Sequence, residues 1–574
     1  MNKRKRNEKL LKKSLLAVCI LTSCMASAFF LSSCGKSGGQ ENTDSKANAT
    51  AASSADKEKS DLALMEEAVH TPYGKYPETV TYTLGKISGA NHANLPVGAT
   101  YEDNAYTSYL KDMLNIQNKD VFELEDGSTY EQAVEMAIED NDIPDVLVVK
   151  GRDTLKRLAA KGMIADLSQV YEECTTDRIK EMYESYGDGL LDSARFDGKL
   201  YAFPDTVIDH GTMLLWMRAD WIEELGLKEP ETMAEAMEIA GRFVEEDMAG
   251  NDSTVGLVCS TELVSGSSST YGADPIFTEF GAVPGKWTLD DAGNVIYGSV
   301  MEETKAALGY MHELYEKGIL DPRFLLRSTE NLDQMVAEGK CGALFGYWWA
   351  PNNPLSTTSK GDRAAVWKPY LLSGQKKATL ESYNDWKYVV VRKGYEYPEI
   401  VGKYVSVLFD YTRYEDVNAR DINDYFSMNV DPTARPMNIN VDYWDGLYRT
   451  TANIKQVMDG EMRVQELNGM EKAYYETCKS YINGSMTTVN AWAAYASRIQ
   501  AVSLLSESGR GTLPLSMGDA DGEIPHHLQR LETEAFLQII CGEKPLEYFD
   551  EFVQEWYDEG GREVTSLVQG GLVR

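Results

Sequence analysis

The chain has 574 residues, 43% of them hydrophobic, and its 90 acidic against 56 basic side chains leave a formal charge of −34. An acidic surface of this size repels nucleic acid and excludes it as a partner. The length exceeds what one core can fill and predicts two or three domains. The first predicted element is an export signal: MNKRKRNEKLLKK carries seven basic residues and one acid, Ser14 to Ser33 carries no charge, and the small Ser32 and Ser33 precede Cys34.

Leu31-Ser32-Ser33-Cys34 resembles the cleavage box of bacterial lipoproteins. The resemblance implies that residues 1–33 are removed and that Cys34 becomes a lipid-bearing N-terminus on the outer face of the cell membrane. Leu21-Thr22-Ser23-Cys24 is a weaker match, because apolar sequence continues after it. The alternative reading of the same uncharged run is an uncleaved spanning helix, and both readings anchor the chain to a membrane. Residues 34–76 read as a lipidated disordered tether, because GKSGGQENTDSKANATAASSADKEKS (35–60) has no aromatic and almost no branched aliphatic side chain. The GKS in this stretch is no phosphate loop, since Phe30 stands where the opening glycine is required.

Beyond the tether, strand and helix signals alternate. TVTYTLG alternates apolar and polar as a strand, 106–115 reads as an amphipathic helix, 120–126 as a strand, 128–141 as a helix with a Ser cap, and 145–151 as a buried strand. This rhythm predicts a parallel sheet with helices on its faces. A helix follows over 153–163, and 196–227 holds two extended runs about a Pro-Asp break before a helix near Asp220. Ligands of such sheets sit beyond the carboxyl ends of the strands, in the loops after TVTYTLG, after 151 and at 204–210.

Cysteine and histidine are scattered. Cys174, Cys259, Cys341, Cys478 and Cys541 form no CxxC pair, and the six histidines show no metal-ligand spacing, so neither a disulfide framework nor a zinc site is expected, and no cofactor. Asp290, Asp291 and Asn294 in LDDAGN lack the spacing of a calcium loop and predict a hairpin turn at Gly293.

Three stretches in order, IPDVLVVKGRDTLKRLAAKGMIADLS (143–168), FDGKLYAFPDT (196–206) and LLWMRADWIEELGLKEPETMAEAMEIA (214–240), resemble the extracellular solute-binding proteins of bacterial ABC importers. MVAEGKCGALFGYWWAPNN (335–353) is similar to that family's helix, strand and aromatic cleft loop, and FLQIICGEKPLEYFDEFVQEWYDEGG (536–561) to the ending of its large Gram-positive lipoprotein branch. The resemblance implies an α/β, two-lobed periplasmic-binding-protein-like (type II) fold with an interdomain cleft and hinge. Mapped by segment, the N-lobe spans 77–205 plus about 386 to 450, and the C-lobe 206–385 plus most of 451–574. The implied function is capture of a solute by cleft closure and its delivery, as a monomer, to membrane permease subunits.

The cleft residues point to an oligosaccharide. Tyr347, Trp348 and Trp349 stand directly before Asn352, and Tyr383, Asp385 and Trp386 stand at an expected crossing. Aromatic faces pack on the C–H faces of sugar rings, while Asn and Asp supply directional hydrogen bonds to hydroxyls. In a strand, adjacent residues face opposite sides, so one of the two tryptophans is expected in the core. Asp205 and His210 flank the first crossing as ligand contacts or hinge caps. Arg152 follows a strand as a clamp or a surface charge, Tyr271 and Asp274 sit near a Gly/Ser-rich loop, and Asn91 follows the first strand. The alternative is an exported polysaccharide-acting enzyme, which needs two carboxyls at a set separation; with 90 acids their presence decides nothing.

Overall fold

A computed structural model describes residues 60–572 apart from 90–94, 126–127, 207–212, 265–269, 291, 359–364, 373, 375–377, 382–385, 417, 429, 508–514 and 518–521. The signal, Cys34 and residues 35–59 lie outside the described residues, but the rest of the expected tether is ordered: residues 60–70 are helical, and Ala68 and Tyr76 are buried in the first core, which the low-complexity start of the segment does not foretell. In chain order the strands begin with β1 (Val80–Ser88), β2 (Ile116–Glu125) and β3 (Val146–Lys150). Next come the short pair β4 (Arg195–Phe196) and β5 (Lys199–Leu200), then β6 (Phe203–Pro204), β7 (Leu214–Arg218) and β8 (Val255–Val258). They continue with β9 (Trp287–Leu289), β10 (Val295–Tyr297), β11 (Cys341–Gly346), β12 (Trp367–Tyr370), β13 (Thr379–Glu381), β14 (Lys387–Val391) and β15 (Leu515–Ser516).

The expected alternation is present: β1, a helix at Ala105–Leu114, β2, a helix at Ser128–Glu139, and β3. β2 starts four residues before the predicted strand, because Asn115 takes a left-handed turn (φ 60°) that carries the chain straight from helix into strand. The first sheet runs β2-β1-β3-β14-β6. β1 is parallel to β2 and β3, and β14 enters antiparallel between β3 and β6. Val146 to Val149 are fully buried, as a strand covered on both faces requires.

A second sheet runs β12-β7-β11-β8 and a third β10-β9-β13-β15. Two family-like motifs explain themselves locally. Asp197 (φ 51°) and Gly198 (φ 78°) form the two-residue turn between β4 and β5, where both positions need positive φ. At the end of β7, Arg218 forks onto Asp220 (2.8 and 2.5 Å) and stacks 4.2 Å over Trp221, fixing the start of the next helix. The LDDAGN segment is the turn of the antiparallel β9–β10 hairpin, with Asp290 accepting from the amides of Ala292 and Asn294.

The first sheet lies in a core drawn from 68–203 and 388–475. The other sheets lie in cores drawn from 213–380 and 447–568. Between these bodies the chain passes from β6 to β7 and from β13 to β14, and the segment 440–446 runs beside these passages into the helix Gly446–Asp459, whose Leu447 and Tyr448 pack in a core of the second body and whose Ile454 and Val457 pack in that of the first. The lobe change expected at about 450 is not where the core changes, since Ile454 to Tyr475 still contribute to the first core. The two passages and the segment at 440 are laced together. Thr206 donates its amide (2.9 Å) and hydroxyl (3.0 Å) to the Asn440 carbonyl and accepts from the Asp442 amide (3.0 Å). Asp205 accepts from the Asn440 amide (2.7 Å) and pairs with Lys387 of β14 (2.9 Å).

Candidate functional site

β11 ends at Gly346 and the aromatic loop begins at once. A Cβ on Gly346 would lie 2.9 Å from that of Ala350, so glycine permits the chain to double back sharply. Trp216 donates its indole N–H to the Gly346 carbonyl (3.2 Å), and Ala350 donates to the Tyr347 carbonyl (2.9 Å), closing the turn. Tyr271, at φ 71°, gives its amide to Phe345 (3.0 Å), takes one from Ser260 (2.9 Å), and donates its hydroxyl to Asp333 (2.6 Å). A tyrosine in the left-handed region is a strained placement held by its surroundings. Its ring is buried, and burial together with the Asp333 carboxylate pushes its hydroxyl well above the usual range.

The loop separates its aromatics within a turn. Trp348 is 6% exposed and packs in the core around the second sheet. Trp349 is only partly buried and lies nearly parallel to Tyr347, centroids 6.2 Å apart at 17°. Asn352 is partly buried, and its Oδ1 has no partner. Trp348 is covered on one face by Arg498, whose guanidinium carbon lies 4.5 Å from its ring centre.

The other expected residues fall into different places. Asp205 sits in the lacing of the passages, with Trp386 on the flank of β14, where its carbonyl accepts from Gly151 (3.0 Å). Arg152 opens the helix Arg152–Ala160, donates to the Ser193 carbonyl (3.1 Å) and stacks 5.1 Å from Phe196. Asp274 occupies the first turn of the short helix Asp274–Glu279. Asn91, His210, Tyr383 and Asp385 lie outside the described residues. The structure thus brings Tyr347, Trp348, Trp349, Asn352 and Tyr271 together at the carboxyl end of β11.

Sequence reasoning missed Arg498 and the lacing of Asn440 and Asp442 to Asp205 and Thr206. One signal was present for the first: MTTVNAWAAYASRIQAVSLLS (486–506) holds a single charge, Arg498. No group of His, Cys, Asp and Glu suited to a metal ion is found among the described residues.

Residues 106–406 match the family described as bacterial extracellular solute-binding protein. The chain belongs to that family. It is 23% identical over 389 residues to the polygalacturonan/rhamnogalacturonan-binding protein YtcQ of Bacillus subtilis, covering 64% of this chain and 69% of YtcQ. Over 221 residues it is 24% identical to lipoprotein LipO of the same species, 38% of this chain and 42% of LipO. Among solved structures, it is similar to the substrate-binding protein FusA of S. pneumoniae in complex with fructo-nystose (TM-score 0.55, 14% identity, 85% of this chain and 98% of that one). It is also similar to the alginate-binding protein AlgQ2 (TM-score 0.52, 14% identity, 86% and 98%). At these identities the likeness shows the fold, which is the two-lobed periplasmic-binding-protein-like one. The family is one of binding proteins, and the enzyme alternative falls with that assignment.

Proposed function

We propose that this solute-binding protein captures an extracellular oligosaccharide by closure of its two lobes and delivers it to the permease of an ABC importer, held at the outer membrane face by a lipid on Cys34. The observation that carries the sugar reading is the β11 loop, where partly buried Trp349 lies against Tyr347 beside Asn352, an aromatic platform next to a hydrogen-bonding amide. The glycans that YtcQ and AlgQ2 are named for and the fructo-nystose bound to FusA support it. The first-sheet body is the N-lobe and the body of the second and third sheets is the C-lobe. The laced segments at Thr206, Lys387 and Asn440 are the hinge.

Scanning fluorimetry of residues 35–574 against a panel of plant, host and microbial oligosaccharides tests the reading. A ligand at 100 times its dissociation constant adds about 2.7 kcal/mol to stability, a visible shift in melting temperature. A shift with one glycan class and no cleavage product on chromatography is expected. Silence across the glycans with a response to a peptide panel would overturn the sugar reading.

A further inference from the structure

Arg498 lies in the helical segment Ala496–Ala501. Its guanidinium carbon lies 4.5 Å from the Trp348 ring centre and 4.1 Å from that of Tyr474, and Nη2 donates to the Tyr474 hydroxyl at 2.9 Å. Trp348 belongs to the core around the second sheet and Tyr474 to the core around the first, so the cation sits where the two bodies meet. Acids outnumber Lys and Arg 90 to 56 in this chain, yet no carboxylate among the described residues pairs with Arg498. Three polar atoms are left there without partners and hidden from water: the donors Arg498 Nε and Trp348 Nε1, and the acceptor Asn352 Oδ1. Buried donors without acceptors are costly, and such groups recur where a ligand completes the bonding.

We propose that Arg498, Trp348 and Asn352 form a carboxylate-binding subsite, and that the captured oligosaccharide is an acidic one built of uronate residues. The inference rests on the carbohydrate reading above. Two N–H donors, one of them cationic, suit a carboxylate, and the amide oxygen accepts a neighbouring ring hydroxyl; a uronate carries both groups on one ring. The N–H edges are covered in this arrangement, so the carboxylate enters as the aromatic loop and the Arg498 segment part, and closes in between them. A chain of charge −34 repels a polyanion at a distance, but salt screens that repulsion beyond roughly 8 Å under physiological conditions. A local cation is what the acidic ligand then needs. The polygalacturonan that gives YtcQ its name is a polymer of this class.

Calorimetric titration of residues 35–574 with tetragalacturonate and with tetramannuronate, each as free acid and as methyl ester, tests the inference. At least one free acid binds, and its ester, which keeps the shape and loses the charge, binds more weakly by roughly 10- to 100-fold. R498Q loses the preference for the acid while R498K keeps part of it, with melting curves showing that each variant folds. Equal binding of acid and ester by the unaltered chain, which needs no variant, overturns the subsite, as does undiminished acid binding by folded R498Q. Binding of neutral glycans without either uronate overturns it and leaves the carbohydrate reading standing. No response to any glycan overturns both.

Discussion

At the scale of single residues, Trp348 and Trp349 are neighbours with opposite duties. Trp349 spends its ring partly in solvent against Tyr347, whereas Trp348 is embedded in a core and covered by Arg498. Trp349→Ala therefore lowers glycan affinity, by about 1–3 kcal/mol if the loss matches that of a stacked base, with little effect on unfolding. Trp348→Ala costs about 3–5 kcal/mol of stability as a cavity in a packed core, and it also removes the indole donor of the proposed carboxylate subsite, so stability is the measurement that tells the two apart. Urea unfolding paired with titration calorimetry separates the two; equal stability losses would contradict this division. One inward ring was expected from alternation along an extended segment, yet the two rings part within a turn and not along a strand. Which ring it is depends on the turn that Gly346 permits, and the sequence pattern does not carry that turn.

At the scale of elements, the β9–β10 hairpin is docked on the helix His526–Ile540 through one acid. Glu532 is buried and accepts from the Tyr297 hydroxyl (2.9 Å) and Ser299 hydroxyl (2.7 Å), while Tyr297 stacks on Trp556 (5.0 Å, 10°). Burial pushes the Glu532 carboxyl up to about 7, against the lowering effect of the Ser299 and Tyr297 hydrogen bonds. The unfolded chain holds it near the ordinary 4.3, so the folded state binds the extra proton. This stabilisation is complete below about pH 4.3 and is lost as pH rises through 7. Glu532→Gln removes the dependence: between pH 5 and 8 the melting temperature of the parent falls relative to that of the variant. Parallel curves would place the carboxyl at its ordinary value. Sequence periodicity disclosed strands and helices of this kind one by one, as at β1, β2 and β3. It was silent on the path of the segment at 440, which is fixed by side chains of Asp205 and Thr206 some 235 positions away bonding the Asn440 backbone, an arrangement with no period to detect. Arg498 was hidden for a related reason, since its meaning arises only where residues 348, 474 and 498 converge.

At the scale of the whole molecule, two bodies joined by passages that are tied by short hydrogen bonds to the segment at 440–442 are set up for rotation about one axis more than for sliding. Small-angle scattering of residues 35–574 should show the radius of gyration decrease on addition of a saturating glycan. An unchanged radius with calorimetrically confirmed binding would mean capture without closure. The same passages have a consequence for the order of events in the life of the chain. β14 lies between β3 and β6, so the five-stranded sheet stays split into two unjoined parts until residue 391 is available to fill the gap. While the polypeptide emerges end first from a ribosome, roughly the first two thirds of it cannot complete its own first sheet, so that sheet closes late, after every strand of the second has been made.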